Sequence, residues 1–586
     1  MIKIRTKAPK RRHTRLYQVA ALAALVAATS PAVIASAHAT KVSAHSSHAT
    51  ARFRQMAAPP GVLVRAQTFR TAPTGTAAQR SAAERALALS PRPGPNWPRA
   101  PRRAAVAHGT PPTLKLPAAG SLRPQAGGAA TTFRNTVLPN VPAKSPVNEP
   151  STSGAGKVVF ATGNWYAGYS LNQGATWTYL NPFTIFGGGF CCDQVTTYDA
   201  SHDRIYWLGQ YSNGINIATA AGTNPATWCS FRFTPGTFGL PSTDAFDYNH
   251  MAVSSNWLYW TTNDYAAAGF RQALIVRIPL HSLLAPPGTC SFPSFQFVGR
   301  ADEFSDAFVQ NANDTMYWWT SATSRIGRGA GLAIDRANDN STGVSANTRA
   351  VDAFIYMSPG AAGGQCGSTD GVVLNWCQRT DSRPAGGGYL AISSLGERTG
   401  FSPGVAHDND EILGVAVHAR QDPAHGRPFP FTRRFYFRAS DLAYLGFGDE
   451  AFSNAAVIYP DMAPDNRGHI GAVFAWGGGT GTTHFFPGSA FMIDDDVSPV
   501  AFNWATVLYL PGAGNACLNT QDKLRRWGDY LTVRPWEPSR NVWLGTGFRL
   551  TANAGACNVN TPAVEVHNIV FGRSGDFASY ARWRNA

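Results

Sequence analysis

Asp203-Arg204-Ile205-Tyr206-Trp207 is a polar turn followed by aliphatic and aromatic residues, a plan that occurs seven times after residue 145. The other six stretches are Gly156–Phe160, Ser255–Trp260, Asn313–Trp319, Asp410–Val415, Gly468–Phe474 and Ser539–Leu544. Most successive starts are 47 to 71 residues apart, and one step is 97 residues. Since a blade of four short strands cannot bury both faces alone, a repeat of about 50 residues predicts an all-β propeller.

The number of blades follows from the number of repeats. Seven stretches predict a seven-bladed β-propeller, with six or eight blades as the alternatives, and the long step indicates an insertion or one further blade. A series of two-sheet sandwiches would also give short strands, but it would need linkers that the sequence after residue 150 lacks. The propeller is therefore expected over residues 146–586.

The N-terminal quarter differs from the rest in composition. A basic stretch, an apolar run from Val19 to Ala28 and the small residues Ala37-His38-Ala39 have the layout of a signal peptide over residues 1–39. Residues 40–145 are rich in Ala, Pro, Arg, Gly and Thr, so we expect a disordered basic tail. No later segment is apolar over the roughly 20 residues of a membrane helix. The sequence thus predicts a secreted or cell-surface protein, with an uncleaved anchor as the alternative.

The formal net charge of +15 arises almost entirely from this N-terminal part. Residues 1–150 contain 22 Lys and Arg against two acids, which leaves 28 of the 50 basic and 33 of the 35 acidic residues to the rest of the chain. A mildly acidic propeller without a basic groove excludes nucleic acid as the main partner. The tail either contacts anionic envelope polymers or is a solubilising linker, and we expect a monomer.

All eight cysteines lie after residue 145, which favours an oxidising compartment. Proximity in sequence favours two disulfides, Cys366–Cys377 and Cys517–Cys557. Two further bonds would be shared by Cys191, Cys192, Cys229 and Cys290, in a pairing that stays open. The absence of C-x-x-C spacing argues against a zinc site.

Functional residues are expected where the innermost strand of each blade starts, because propeller ligands bind at the mouth of the central channel. The ligand-binding candidates at these starts are Asp193, Gln194, Asn249, His250, Asp306, Asp461, Asp529 and Tyr530, with Asn148-Glu149 in the first repeat. At one level they would form a ring of carboxylates and amides that binds sugar hydroxyls or Ca²⁺. The alternative is that Asp and Asn occur there because they favour turns.

Catalysis by such a ring would be glycoside hydrolysis. That reaction needs two carboxylates about 5 to 9.5 Å apart, one of them with a raised pKa. The catalytic candidates are Asp193, Asp461 and Asp529. No cofactor is expected apart from the Ca²⁺ that the ring could bind.

The stretch Ser170-Leu171-Asn172-Gln173-Gly174-Ala175-Thr176-Trp177 resembles the Asp-box, the S-x-D-x-G-x-T-W hairpin of sialidase-like (BNR-repeat) propellers, with Asn172 at the usual Asp position. Gly187 to Gln194 and Trp527 to Tyr530 are similar to segments of exported bacterial proteins of this group. The resemblance implies a sialidase-like propeller in which Asn172 caps the turn and Trp177 packs between blades. It does not imply sialidase activity.

The sequence also departs from the sialidase pattern. Sialidases bind the substrate carboxylate with three arginines and carry a Phe-Arg-Ile-Pro motif near the first strand. The only Arg-Ile-Pro here, Arg277-Ile278-Pro279, lies in the third repeat, where an outer strand meeting a turn explains it. Three functions remain: a noncatalytic propeller that binds glycan or protein, a divergent sialidase-like exo-glycosidase, and a structural envelope protein. The sequence favours the first.

Overall fold

The structure is a computed structural model that describes part of the chain. The described residues are 51–76, 78–79, 129–142, 144–145, 147–187, 189–211, 213–284, 289–303, 306–310, 312–320, 332–349, 391–394, 412–419, 423, 426–465, 469–480, 483–494, 505–515, 517–518, 525–528, 530–537, 541–552 and 564–583. The predicted signal peptide, residues 1–39, lies outside this part. Within it, no helix has the length and apolarity to cross a membrane.

Four strands precede the first blade. They are β1 (Ala51–Arg52), β2 (Arg54–Ala57), β3 (Gly61–Arg65) and β4 (Ala130–Val137).

The first four blades follow in chain order. Blade 1 contains β5 (Ser151–Ala155), β6 (Val158–Gly163), β7 (Tyr166–Ser170) and β8 (Thr178–Leu180). Blade 2 contains β9 (Phe190–Asp199), β10 (Arg204–Tyr211), β11 (Gly214–Ala221) and β12 (Asn224–Phe233). Blade 3 contains β13 (Ala245–Val253), β14 (Trp257–Ala266), β15 (Gly269–Pro279) and β16 (Ser294–Arg300). Blade 4 contains β17 (Ala307–Gln310), β18 (Thr315–Thr320), β19 (Leu332–Asn338) and β20 (Gly343–Arg349).

Three more blades complete the ring. Blade 5 contains β21 (Ala391–Ser394), β22 (Ile412–Ala419), β23 (Phe431–Arg438) and β24 (Tyr444–Glu450). Blade 6 contains β25 (Ala456–Pro464), β26 (Ile470–Thr480), β27 (Thr483–Asp494) and β28 (Ala505–Gly512). A short hairpin, β29 (Cys517–Leu518) and β30 (Arg525–Arg526), precedes blade 7, which contains β31 (Thr532–Pro535), β32 (Trp543–Leu550) and β33 (Val564–Arg573). The α-helices are α1 (Pro182–Ile185) and α2 (Phe577–Trp583), and 3-10 turns cover Pro235–Phe238, Leu280–Leu284 and Ser574–Asp576.

The seven blades form a closed ring. Consecutive strands of a blade pair antiparallel, with the first strand innermost. Each inner strand contacts the next, in the order β5, β9, β13, β17, β21, β25, β31 and back to β5. The seven-bladed β-propeller is therefore confirmed, and each predicted repeat falls on the second strand of a blade. The 97-residue step is an insertion between blades 4 and 5, since β20 ends at Arg349 and β21 starts at Ala391.

The aromatic runs of the repeat follow from burial of both faces of a blade. Trp207 of β10 packs towards blade 1, with its ring centroid 5.1 Å from that of Phe160. Its neighbours Tyr206 and Leu208 point to the other face and share a buried cluster with Trp260 of blade 3. Because both faces are covered, the strand shows no alternation of polar and apolar residues.

The ring is closed by strands from distant parts of the sequence. Strand β4 pairs antiparallel with β33 as the outer strand of blade 7, from Ala130 opposite Arg573 to Val137 opposite His567. The N–H of Leu138 then donates to Val566 at 3.0 Å. Residues 130–137 thus belong to the propeller, although the sequence indicated a disordered tail up to residue 145. Their side chains do not alternate between polar and apolar, so no strand could be identified from the sequence. The strand is held by backbone pairing, which does not depend on such a pattern.

Residues 51–65 also depart from the expected disordered tail. We call them the strap: β1 pairs with β20, β2 with β16 and β3 with β12, which adds a fifth outer strand to blades 4, 3 and 2 in turn. A bridge between Phe69 and Tyr179 continues the path to blade 1. The segment has no regular alternation of polar and apolar residues, so its strands could not be identified from hydropathy.

Arg277 anchors the strap. Its guanidinium lies 4.2 Å from the ring centroid of Phe53, between β1 and β2, and 4.2 Å from that of Trp257. The same group donates to Gln296 and to the backbone carbonyl of Ser341, at 2.7 and 2.6 Å from Nη2. Arg277 is buried by these contacts, so the Arg-Ile-Pro sequence has a structural role in this chain.

The disulfides of the described part join the four cysteines whose pairing was open. Cys191 bonds to its neighbour Cys192, and Cys229 to Cys290. The second bond connects β12 to the loop before β16, and so joins blades 2 and 3. Cys366, Cys377, Cys557 and the side chain of Cys517 lie outside the described residues, so the other two pairings stay predictions.

Replacing Phe53 by alanine should loosen the strap. The side chain is 5 % exposed and carries the contact with Arg277, so Phe53→Ala should lower the opening free energy of strap amides by about 3 kcal/mol. Native-state hydrogen exchange of residues 51–57 measures this value. Val62→Ala is the matched control, because Val62 is 60 % exposed. Equal effects of the two substitutions would disprove the anchoring role.

Candidate functional site

The polar residues expected at a channel mouth are buried. Asp193, Gln194, Asn249, His250 and Asp461 lie within inner strands, Asp306 directly precedes β17, and Tyr530 lies two residues before β31. Each of these seven residues is at most 7 % exposed. Asp529 lies outside the described residues. Their ligand-binding and catalytic roles stay predictions, and the contacts that the structure gives them connect blades.

Gln194 joins three blades. Its Nε2 donates to the carbonyls of Gly163 and Tyr166 in blade 1, at 2.5 and 3.2 Å, and its Oε1 accepts from Trp207 at 2.9 Å. The hydroxyl of Tyr530, next to blade 7, contacts the backbone N–H and carbonyl of Gln194 at 3.1 and 3.2 Å. A fully bonded amide of this kind fixes the relative positions of blades 1, 2 and 7.

Asn249 and His250 connect blade 3 to both of its neighbours. Nδ2 of Asn249 donates to Gln210 of blade 2 at 2.6 Å, and Nδ1 of His250 accepts from the N–H of Phe308 in blade 4 at 3.1 Å. A register shift between Asp247 and His250 bulges the strand here, with Tyr248 at a φ of 63°. The bulge turns successive polar side chains towards different neighbouring blades.

Asp461 connects blade 6 to blade 7 from an equivalent bulge. The register shifts between Ile458 and Asp461, and Tyr459 has a φ of 53°. Oδ2 of Asp461 accepts from the N–H of Val533 at 2.7 Å and from Nη1 of Arg534 at 2.9 Å. Burial raises the pKa of Asp461, whereas the Arg534 charge and these hydrogen bonds oppose the rise.

A cavity of about 330 Å³ lies at the other end of the inner strands, where they finish. Residues of five blades line this channel cavity: Ser153, Gly154, Thr197, Tyr198, Asp199, Ser201, Val253, Ser254, Ser255, Gln310, Ala312, Asn313, Arg534, Pro535 and Glu537. The volume is in the range of small-molecule sites. Sequence reasoning missed it because it placed the site at the strand starts.

Two buried donors in the channel cavity lack hydrogen-bond partners among the described residues. Nη1 of Arg534 donates to Asp461 and to the carbonyl of Val533, whereas Nε and Nη2 have no hydrogen-bond partner. Nε2 of Gln310 is unbonded as well. Both side chains are 4 % exposed. Unbonded buried donors cost free energy, so a ligand that accepts from them would recover it.

The same cavity carries acceptors and an aromatic face. Asp199 accepts from the N–H of Ser201 at 3.0 Å and contacts Nδ1 of His202 at 2.6 Å. Glu537 pairs its backbone with blade 1 through the N–H of Gly156 at 2.9 Å. Burial raises the pKa of the Tyr198 phenol, whose hydroxyl donates to Asp203 and therefore stays neutral at physiological pH. Donors, carboxylates and a neutral ring are together the groups that bind sugars.

No metal site is apparent in the described part of the chain, where no three His, Cys, Asp or Glu side chains cluster closely enough to hold an ion. Binding of Ca²⁺ by the ring of strand-start residues, which the sequence allows, stays a prediction.

The turn that resembles an Asp-box joins β7 and β8. Oδ1 of Asn172 accepts from the N–H of Thr176 at 2.8 Å, and Oγ of Ser170 accepts from that of Gly174 at 2.6 Å. Gln173 and Gly174 have φ angles of 60° and 82°. Trp177 is buried in a cluster shared with blades 6 and 7. This turn lies at the end of the channel where the inner strands finish.

A close pair of carboxylates, not identified from the sequence, lies in blade 3. Asp244 and Asp264 both contact Nη1 of Arg271, Asp264 at 3.6 Å, and Gln272 donates to Asp264 at 3.1 Å. Burial raises the pKa of Asp264 to about 6, and the charge of Asp244 adds to the rise. Asp244 directly precedes β13 and Asp264 lies in β14, so the pair forms across two paired strands and no local spacing could reveal it.

Replacing Asp264 by asparagine should stabilise the protein above about pH 6. The pKa in the folded protein exceeds the ordinary 3.8, so ionisation of Asp264 lowers stability progressively between these two pH values. The substitution should raise the free energy of unfolding by up to about 3 kcal/mol at pH 7. Below pH 3.8 the gain should vanish, because the carboxyl is then protonated in both states. Thermal unfolding from pH 3 to 8 measures the gain, and a gain independent of pH would contradict the assignment.

Comparisons with known proteins give structural likeness only. No model of a protein family matches the sequence, and no curated protein matches it. A protein of unknown function from Dyadobacter fermentans is similar at 10 % identity and a TM-score of 0.36, over 76 % of this chain and 99 % of that one. The NanB sialidase of Streptococcus pneumoniae is similar at 9 % identity and a TM-score of 0.31, over 62 % of this chain and 67 % of that one. The α-L-arabinanase of Penicillium chrysogenum is similar at 10 % identity and a TM-score of 0.32, over 75 % of this chain and 97 % of that one. The propeller assignment rests on the strand pairing of the chain itself.

Proposed function

We propose that this protein is an exported propeller that binds glycan in the channel cavity without cleaving it. The observation that carries the proposal is that Arg534 and Gln310, which line the cavity together with hydroxyls, amides and carboxylates, hold buried nitrogens without a hydrogen-bond partner in the described part of the chain. A sugar hydroxyl both accepts and donates, so it can accept from Arg534 and donate to Asp199 or Glu537.

The charge balance of the cavity favours a neutral ligand. Arg534 is already neutralised by Asp461, and Asp199 and Glu537 add two further negative charges. A free anion would meet net repulsion, whereas a polyol satisfies donors and carboxylates at once. The ring of Tyr198 offers a face on which a sugar could stack.

Export is supported by the two disulfides of the described part, which are typical of oxidising compartments. The layout of residues 1–39 points the same way.

Hydrolysis is the second candidate, because Asp199 and Glu537 line one cavity and could act on a sugar held there. Binding is preferred because Asp199 is already engaged by Ser201 and His202. The originally expected carboxylate Asp461 is likewise held by Arg534 and Val533.

Binding should depend on the free edge of the Arg534 guanidinium. Arg534→Lys keeps a charge for Asp461 but removes the planar donor fork, and Gln310→Leu removes the unbonded amide nitrogen. Each should weaken binding of the full chain to its glycan by about 10- to 100-fold. A glycan array followed by calorimetry on the best ligand measures this, with Arg438→Lys as the control at a distant ion pair.

The outcomes separate the candidates. Absence of glycan binding by the wild-type chain would refute the proposal, and equal binding by all variants would place the site elsewhere. Release of fluorophore from sialosides or other glycosides, lost on Glu537→Gln, would support the hydrolase instead.

A further inference from the structure

We infer that the outer edges of blades 2, 3 and 4 form a track for an extended peptide, and that the strap of a second copy can replace the chain's own strap on it. The occupant in this structure is residues 51–65, which add a fifth strand to each of the three blades.

The strap is held mainly by backbone pairing. Residues 61–65 pair one by one with Phe231 to Thr227 of β12, while Val62 and Leu63 are 60 % and 41 % exposed. Strand addition of this kind gains its affinity from main-chain hydrogen bonds, and an edge that accepts one strand accepts an identical one.

Side chains add to this pairing, and Arg54 lies 4.9 Å from the ring centroid of Phe297. Phe53 is buried against Arg277 at the junction of blades 3 and 4, and its N–H donates to Thr342 at 2.8 Å. Smaller contacts fix the register further along, where Gln55 donates to Ser294 at 3.1 Å. A second copy of the chain carries the same aromatic anchor at the same distance from the same strands, so it fits the track as its own strap does.

The chain between the strap and β4 of blade 7 is long enough for straps to be exchanged between two molecules. Residues 77–128 link the strap region to β4, and these 52 residues could extend over about 170 Å. Such a length does not force the strap onto its own propeller. As a covalent tether, however, it keeps the strap at an effective concentration of about 1 mM. Exchange between molecules therefore becomes appreciable as the protein concentration approaches that value, and dilute protein stays monomeric.

The test uses full-length protein in unlabelled and ¹⁵N-labelled forms. The two are mixed at about 10 µM and at about 1 mM, incubated, and examined by native mass spectrometry after rapid dilution. Dimers of mixed mass should be scarce at the lower concentration and rise at least about tenfold in proportion at the higher one. Phe53→Ala should shorten the time to equilibrium by at least about tenfold, because opening no longer breaks the anchor.

A locked variant separates strap exchange from other association. Ala57 lies opposite Ser294 in the β2–β16 pair, so a disulfide in Ala57→Cys/Ser294→Cys would fasten the strap to its own propeller. The oxidised variant should lose the mixed dimer, and reduction should restore it. The inference is overturned if the locked variant dimerises as well as wild type, or if neither wild type nor Phe53→Ala forms mixed dimers near 1 mM.

Discussion

The hydrogen bonds between Ala130–Val137 and Val564–Arg573 close the ring, and the other contacts between blades depend on that closure. Each blade buries both faces only because it has a neighbour on either side, as the packing of Trp207 and Leu208 towards opposite neighbours shows. An open ring would expose two such faces to water, so the chain joins β4, which precedes blade 1, to β33, the last strand of the sequence. Polar inner-strand residues such as Gln194 and Asp461 then fix the angle between blades that apolar packing leaves free.

The same requirement explains why the polar positions suggested a binding site. A residue such as His250 or Asp461 follows a bulge and points out of its own sheet, which is the geometry that a channel-mouth ligand group would also need. In this chain His250 and Asp461 each bond to a neighbouring blade. The sequence offers two explanations for polar residues at the strand starts, a preference for turns and ligand binding. The hydrogen bonds add a third explanation, which is that these residues join neighbouring blades.

Much of the fold could be predicted because the second strand of each blade is marked by aromatic and aliphatic residues after a polar turn, as at Asp203-Arg204. The strap and β4 could not, since the side chains of the strap strands are largely exposed, those of β4 are half-buried, and the pairing uses backbone groups that every residue has. The sequence placed the candidate site at the starts of the inner strands, whereas the channel cavity lies where these strands finish. Arg534 and Gln310 belong to different blades, so their convergence depends on ring closure and leaves no spacing in the sequence.

Arg534 both joins two neighbouring blades and lines the channel cavity. One nitrogen of its guanidinium holds Asp461 across the junction of blades 6 and 7, while Nε and Nη2 have no hydrogen-bond partner among the described residues and the residue lines the cavity. Because the ion pair fixes the plane of the group, little conformational entropy remains to be lost when a ligand accepts from its free edge. Gln310 offers its donor from blade 4, which lies across the ring from blade 7. A ligand that reaches both donors would span the channel, and its affinity would depend on the distance between opposite blades, which is set by closure of the ring.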